Sequence, residues 1–320
     1  MTFKNKLVPV LLIGLGLGAA GAGCGNYSNE DLEFMNALPD KNDLSADVPV
    51  RSAIAIGDTA ELYRMTRDVA VVFNGIVDAF LTLIDTIRGY EPTTRRPNER
   101  IWGPFASKDQ PGWDIRMKMT REDLATFSYQ VGFRPSGFTG GEDAGWLDVI
   151  TGTFNAAGGV RKGSGTLAIV TAAARAAGLD PGLGYLDWMN ATYDNHAFPT
   201  SVGLQYVSLP NPNKPTDPTD GTYTYSAQLN GQGALTFNFS ANSIPGPAGI
   251  DVFNVTSNWL GTGQDQGAGR SDLQVVSGDA AGARETQCWN QQFQAVYIDK
   301  PWSLLEDIGT PSDCPSIPTL

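Results

Sequence analysis

The chain has 320 residues, a formal net charge of −12 and 41% apolar residues. This length allows one large or two small domains, and the apolar fraction supports a packed core, so global disorder is excluded. Charged residues make up only 18%, whereas 37 glycines and 20 prolines indicate many turns. Nucleic acid is excluded as a partner, because phosphate binding depends on clustered lysine and arginine and this acidic chain has no basic run.

An export signal occupies residues 1–23. Lys4 and Lys6 give it a positive start, an apolar stretch covers 7–17, and glycine and alanine lead to Cys24. The apolar stretch is shorter than the ~20 residues that cross a membrane as a helix, and no charge cluster follows it. We therefore predict a signal peptide that is absent from the mature fold.

The end of this signal, Gly21-Ala22-Gly23-Cys24, resembles bacterial lipoprotein precursors, in which small residues precede an acylated cysteine. The resemblance implies that Cys24 carries the lipid anchor, although Gly21 stands where the family prefers leucine. Gly25 replaces the aspartate that retains enteric lipoproteins at the inner membrane, which implies an outer-membrane lipoprotein facing the periplasm or the cell surface. An A-x-A site that ends at Ala22 also fits ordinary signal peptidase, so a soluble secreted protein is the alternative.

Two segments resemble a set of uncharacterised myxobacterial lipoproteins. The first is Cys24–Pro39, and the second is Cys288-Trp289 followed by Phe293 and Tyr297. That family has no assigned activity or catalytic residues. The resemblance therefore implies a membrane anchor and no mechanism.

Residues 24–57 are acidic and polar, which predicts a tether between the membrane and the folded domain. Because anionic headgroups repel an acidic chain, we expect the acyl chains to hold the protein at the membrane. Four apolar residues within the tether predict a short docking helix: Leu32, Phe34, Met35 and Leu38.

One long amphipathic helix is predicted within residues 58–90, from about 59 to 88. Asp58 and Glu61 fit a capping box at its start, and Gly89 ends it. Arginine and aspartate occupy the opposite side, so the apolar stripe favours packing on a sheet over a membrane or cofactor surface. The stripe repeats every three or four residues: Leu62, Met65, Val69, Val72, Ile76, Phe80, Leu83 and Ile87.

The remaining residues, 91–320, predict an antiparallel β domain with a proline-rich C-terminal tail. Apolar and polar residues alternate over Phe127–Phe133, Tyr223–Leu229 and Leu235–Phe239, which is typical of half-buried strands. The predicted fold class is mainly β: a strongly curved antiparallel sheet or barrel of about ten strands, with the long N-terminal helix packed on it. Pro210–Asp220, with four prolines, predicts an extended loop.

Three Gly-x-Gly motifs lie beside strand patterns, at residues 163–165, 231–233 and 267–269. A dinucleotide-binding fingerprint needs a third glycine and opens a helix, whereas these motifs lead into strands. They therefore predict hairpin turns or bulges rather than phosphate-binding loops.

Two cysteines remain if Cys24 is acylated. Cys288 and Cys314 form a pair in an oxidising compartment, which favours a disulfide, with two free thiols as the alternative. The bridge would restrain the proline-rich tail and stabilise the fold by about 3 kcal/mol. His196 is the only histidine and no Cys-x-x-Cys spacing exists, so no metal site is expected.

No catalytic constellation is visible, so we predict a protein that is not an enzyme and has no cofactor. Two function classes remain: a binding or carrier module for an apolar small molecule, which we favour, and, as the alternative, a structural or assembly protein with a filled core that contacts other envelope proteins. The volume of the interior separates them, because side chains fill small barrels while larger barrels leave a cavity. The candidate ligand-binding residues are the strand aromatics expected to face the interior: Phe127, Tyr129, Phe133, Tyr225, Phe237, Phe239 and Trp259.

Overall fold

The computed structural model describes residues 27–39, 41–50, 59–159, 162–179, 186–211, 214–241, 250–263, 265–302 and 307–320. The predicted signal peptide and Cys24, the predicted lipid-attachment site, lie outside the described residues. Asp58, one half of the predicted capping box, lies outside them as well.

The protein is mainly β, as predicted: the described residues form fourteen strands in one sheet, in which each strand pairs antiparallel with the next along the chain. The first and last strands do not pair with each other, so the described sheet is open and not a closed barrel. The strands are β1 Thr94–Arg96, β2 Glu99–Ala106, β3 Trp113–Arg121, β4 Thr126–Pro135, β5 Leu147–Asn155, β6 Ser164–Val170, β7 Trp188–Asp194, β8 Thr200–Asn211, β9 Lys214–Ala227, β10 Gly233–Ala241, β11 Asp251–Trp259, β12 Gly269–Ser277, β13 Arg284–Trp289 and β14 Ala295–Asp299.

The strand count exceeds the predicted number because three strands lack the apolar alternation. β1 is short and charged, a Gly-Pro step interrupts β2, and the inward positions of β13 carry glutamate and glutamine. The loop predicted at Pro210–Asp220 is wrong, since β8 and β9 both extend into it. Conversely, Leu229 was predicted in a strand but lies in the turn after β9, where it is exposed.

In the described part of the chain, four α-helices accompany the sheet: α1 Asn29–Asn36, α2 Lys41–Leu44, α3 Glu61–Arg88 and α4 Ala172–Ala176. The docking helix predicted within the tether is α1, whose Phe34 is fully buried against Phe127 of β4. Residues that were predicted as tether therefore belong in part to the packed domain.

The long helix α3 packs on the sheet as predicted. Phe73 contacts Tyr206 of β8 and Tyr223 of β9, with ring centroids 5.2 Å and 4.7 Å apart. By length and composition α3 could also cross a membrane, but its apolar stripe packs within the core. The buried stripe is rotated about the helix axis from the predicted one, since Met65, Val69 and Ile76 are only partly buried. The buried residues of α3 are Leu62, Tyr63, Thr66, Ala70, Phe73, Val77, Phe80, Leu81, Leu83, Ile84 and Ile87.

The predicted capping box at the start of α3 is wrong. Ala60 occupies the cap position and provides no side-chain hydrogen bond. The helix instead docks on β13, because the backbone N–H of Leu62 donates to the side-chain oxygen of Gln287 at 3.0 Å. Gly89 follows the last helical residue, as predicted.

Strand register divides the sheet into two faces. We call the side on which α3 packs the inner face; residues paired across it include Tyr129, Leu167, Leu204, Tyr223 and Phe237. We call the opposite side the outer face. Because side chains alternate along a strand, the residues before and after each inner residue belong to the outer face.

Candidate functional site

The seven aromatic residues predicted to face the interior all lie on the inner face. Six are buried and Phe239 is partly buried, and all belong to or pack against one continuous core. The structure thus places them on one shared face. They separate into a group on β4 and a group on β9 to β11.

The β4 group packs on the N-terminal helix and on a neighbouring strand. Phe127 meets Phe34 edge to face at 5.3 Å. Tyr129 leans across Gly152 of β5 and donates its hydroxyl proton to the carbonyl of Thr166 at 2.8 Å. Phe133 is also buried, at the opposite end of β4. These side chains are buried within the core.

The β9 to β11 group is stacked in pairs. Tyr225 and Trp259 lie 6.3 Å apart, and Phe237 and Phe239 lie 6.1 Å apart, measured between ring centroids. Phe239 also stacks on Phe253 at 5.0 Å. The candidate ligand-binding residues therefore contact one another and the core.

Two of the Gly-x-Gly motifs pack against a buried tryptophan of the next strand, a role that spacing alone did not reveal. Gly233 leaves room for the indole of Trp259, whose N–H donates to the carbonyl of Gly231 at 3.1 Å. The motif at 267–269 holds Trp289 in the same way, with a 2.8 Å bond to the carbonyl of Gly267. In each motif the carbonyl of the first glycine accepts a hydrogen bond from the indole N–H, and the second glycine, which has no side chain, makes space for the ring.

Burial perturbs the tyrosine side chains of the inner face. Desolvation raises the pKa of Tyr206 to about 12, and raises the pKa of Tyr129, Tyr193 and Tyr223 well above the usual value. The phenols are therefore neutral at physiological pH. The hydroxyls of Tyr193 and Tyr223 are buried and have no hydrogen-bond partner in the described part of the chain.

A polar group beneath the start of α3 was missed by sequence reasoning. The hydroxyls of Thr66, Ser257 and Ser271 form a chain with oxygen separations of 2.6 Å and 2.5 Å. Beside it, Gln287 donates to the buried carboxylate of Glu285 at 2.5 Å. The alternation of polar residues in β13 was the available sequence signal.

A second buried polar group fastens α1 to the sheet. Asp31 is fully buried and accepts hydrogen bonds from Arg100 at 2.6 Å and Arg95 at 3.0 Å. Burial alone would raise the pKa of Asp31, but the bonds from the Ser28 backbone and both arginines outweigh it and hold the pKa at about 2. The Arg100 guanidinium lies over the Phe34 ring, with the guanidinium carbon 4.8 Å from the ring centroid.

Cys288 and Cys314 lie at disulfide distance, with sulfur atoms 2.05 Å apart, in agreement with the predicted pairing. The tail beyond Cys314 continues toward β10, where the side chain of Gln232 donates to the carbonyl of Pro318 at 2.6 Å. The tail therefore crosses the sheet from β13 to β10.

His196 lies in a bend after β7, where its ring nitrogen is 3.0 Å from a carboxylate oxygen of Asp194. Hydrogen bonds from His196, chiefly from its backbone, lower the pKa of Asp194. Within the described residues, no three histidine, cysteine or acidic side chains are grouped so that they could hold a metal ion.

No protein family, curated protein or solved structure matches this chain. Any functional conclusion therefore depends on the residues and contacts described above.

Proposed function

We propose that this protein is an outer-membrane lipoprotein, anchored through acylated Cys24, whose β domain acts as a non-catalytic structural or assembly module. The observation that carries the proposal is the packed inner face, where strand aromatics and α3 form one core. A strong curve of the sheet around α3 is part of the same proposal.

Membrane attachment is supported by the small residues that lead to Cys24 and by the polar chain after it. The test compares the full precursor with Cys24→Ser in the native host, by membrane fractionation and by intact mass. Cys314→Ser serves as a control, because it removes the sulfur of a disulfide cysteine and leaves Cys24 in place. We expect wild type and the control to stay with the outer membrane, acylated at Cys24, and Cys24→Ser to be released. An unmodified thiol after cleavage near Gly23 would refute the anchor.

A carrier for an apolar small molecule is the second candidate. It is favoured by the unpartnered hydroxyls of Tyr193 and Tyr223, because a buried donor without a partner costs about 1–3 kcal/mol and calls for an occupant such as water or a ligand head group.

Native mass spectrometry of the protein purified in mild detergent separates these two candidates. For a structural module, the measured mass should equal that of the polypeptide and its acyl chains alone. A stoichiometric additional lipid that is lost in Tyr193→Phe and Tyr223→Phe together would favour the carrier and contradict the filled-core proposal.

A further inference from the structure

The outer face carries uncharged polar side chains in rows that run across the strands. Register places one row of hydroxyl residues side by side, interrupted only by Gly203 of β8. Neighbouring strands are about 4.8 Å apart, so the row offers an equivalent group at that interval. Its members are Thr120, Ser128, Thr153, Thr166, Thr192, Gly203, Thr224, Thr236 and Thr256.

Two shallow grooves cross this face. The first has a volume of about 380 Å³ and is bordered by hydroxyl residues that include Thr166, Thr192 and Ser201. The second has a volume of about 350 Å³ and is bordered by side chains that include Trp188 and Gln205. Ser201 and Gln205 are on the same strand with Gly203 between them, so the residue that separates the grooves has no side chain.

The second groove contains an apolar platform. Trp188 of β7 is half-buried on the outer face and pairs with Val170 on one side and Val207 on the other. Both valines are more than one-third exposed, at 36% and 38%. An indole flanked by two exposed aliphatic side chains, beside rows of amides and hydroxyls, has the mixed character of a ligand site.

The charges narrow the class of ligand. The described residues that border the grooves include two carboxylates, Asp194 and Asp220, and neither lysine nor arginine. An anionic polymer would be repelled by this face and by the net negative chain. A sugar ring presents an apolar C–H surface that stacks on an indole, and hydroxyl groups that both donate to and accept from amides and hydroxyls.

We propose that the outer face binds a neutral glycan chain, with one sugar ring stacked on Trp188 and neighbouring sugars lying across Gly203 along the hydroxyl row. A polymer of repeated uncharged units suits a surface that repeats an uncharged group from strand to strand. The proposed contacts, Trp188 and the hydroxyl row, are side chains of the outer face, so the proposal does not depend on which role of the inner face is correct.

The test measures binding of neutral hexasaccharides of glucose, xylose and N-acetylglucosamine to the full chain in detergent by isothermal titration calorimetry. Trp188→Ala removes the platform, and Trp113→Ala is its control, since Trp113 is a half-buried tryptophan on the distant strand β3. Gly203→Val fills the junction of the grooves, where an added Cβ would meet only the Thr192 hydroxyl at 2.9 Å. Its control is Gly141→Val, at a position with open space around it.

We expect at least one neutral hexasaccharide to bind wild type and both controls equally, and to bind Trp188→Ala and Gly203→Val about ten-fold more weakly or not at all. The proposal is overturned if no neutral hexasaccharide binds wild type at millimolar concentration, or if binding survives in both groove variants. Binding of only an acidic hexasaccharide, such as oligogalacturonate, would also overturn it. Because Gly203→Val removes no native side chain, it tests the site even if Trp188→Ala does not fold.

Discussion

At the residue scale, the glycines beside strands are best understood through their neighbours. Gly233 and Gly269 face the rings of Trp259 and Trp289 on the adjacent strands, and each preceding glycine of the motif supplies the carbonyl that accepts the indole proton. Large side chains can lie flat against the sheet only where the facing position lacks a Cβ. The motif therefore encodes an inter-strand contact rather than a ligand loop.

Gly233→Ala is expected to destabilise the fold by about 1–3 kcal/mol, because the added methyl group would overlap the Trp259 ring inside a packed core. Chemical denaturation followed by tryptophan fluorescence measures the change. Gly141→Ala is the control and should leave the free energy of unfolding within about 0.5 kcal/mol of wild type, since its Cβ meets nothing. Equal stability of the two variants would contradict the proposed close contact between Gly233 and the Trp259 ring.

The buried Asp31 carboxylate predicts an acid-sensitive contribution to stability. Its pKa is about 2 in the folded protein against the usual 3.8, so its contribution is present above about pH 4 and is lost as the pH falls toward 2. The shift corresponds to about 2 kcal/mol. Asp31→Asn should therefore be less stable than wild type at pH 6 and should converge with it near pH 2.

Urea denaturation at several pH values between 6 and 2 measures this convergence. Asp279→Asn, an exposed substitution of the same type, is the control and should follow the wild-type curve throughout. A constant difference between Asp31→Asn and wild type across this range would mean that the charge of Asp31 is not what stabilises the contact with Arg95 and Arg100.

At the element scale, the position of α3 depends on contacts far away in sequence. Among the described residues, Ala60 at the cap position provides no side-chain acceptor for its first turn, and Gln287 of β13 accepts from the Leu62 N–H instead. The backbone N–H of Ala60 likewise donates to the carbonyl of Phe293 at 3.0 Å. The helix start is therefore held by the last part of the sheet, so that helix and sheet stabilise each other.

Gln287→Ala should destabilise the protein by about 1–2 kcal/mol, because it leaves the Leu62 N–H buried without its acceptor. Gln274→Ala removes an exposed glutamine on neighbouring β12 and should have little effect. Thermal unfolding by circular dichroism compares the two. Hydrogen exchange should also show faster exchange in the first turn of α3 for Gln287→Ala alone, and its absence would argue against a capping role.

At the scale of the whole molecule, segments from both ends of the chain cover the sheet. The N-terminal segment packs α1 on β2 to β4 through Asp31 and Phe34. The C-terminal segment pairs Ile308 with Ile298 of β14 and then crosses toward β10. Both described edge strands are thereby protected, since β1 is short and charged and β14 has a partner segment, which limits unwanted strand pairing.

Cys314→Ser is expected to lower the free energy of unfolding by about 3 kcal/mol in the loop-entropy description, because the bridge closes a separation of 26 residues. It should also make the tail after Cys314 sensitive to limited proteolysis. Ser316→Ala, two residues further along, is the control and should remain resistant. Recovery of Cys288 and Cys314 as free thiols from freshly alkylated native protein would remove the basis of this prediction.

The amino-acid sequence by itself determined where apolar residues recur at strand or helix spacing in this protein. Alternation over β4, β9 and β10 and the apolar repeat of α3 were sufficient to predict a mainly β protein with one long packed helix. Counting cysteines, with Cys24 assigned to the lipid anchor, favoured a bridge between Cys288 and Cys314, and the structure places their sulfur atoms at bonding distance. These features depend on residue order alone, because strands and helices present their side chains at fixed intervals.

Only the tertiary structure decided which distant groups meet. The acceptor for the Leu62 N–H is 225 positions away in Gln287, and one of the two arginines that bind buried Asp31 is 69 positions away, Arg100. Strand register likewise aligned the outer hydroxyls into a row and brought Trp188 between two valines. Such encounters depend on sheet order and register, which arise from the packing of the whole chain and leave no periodic trace within any one segment.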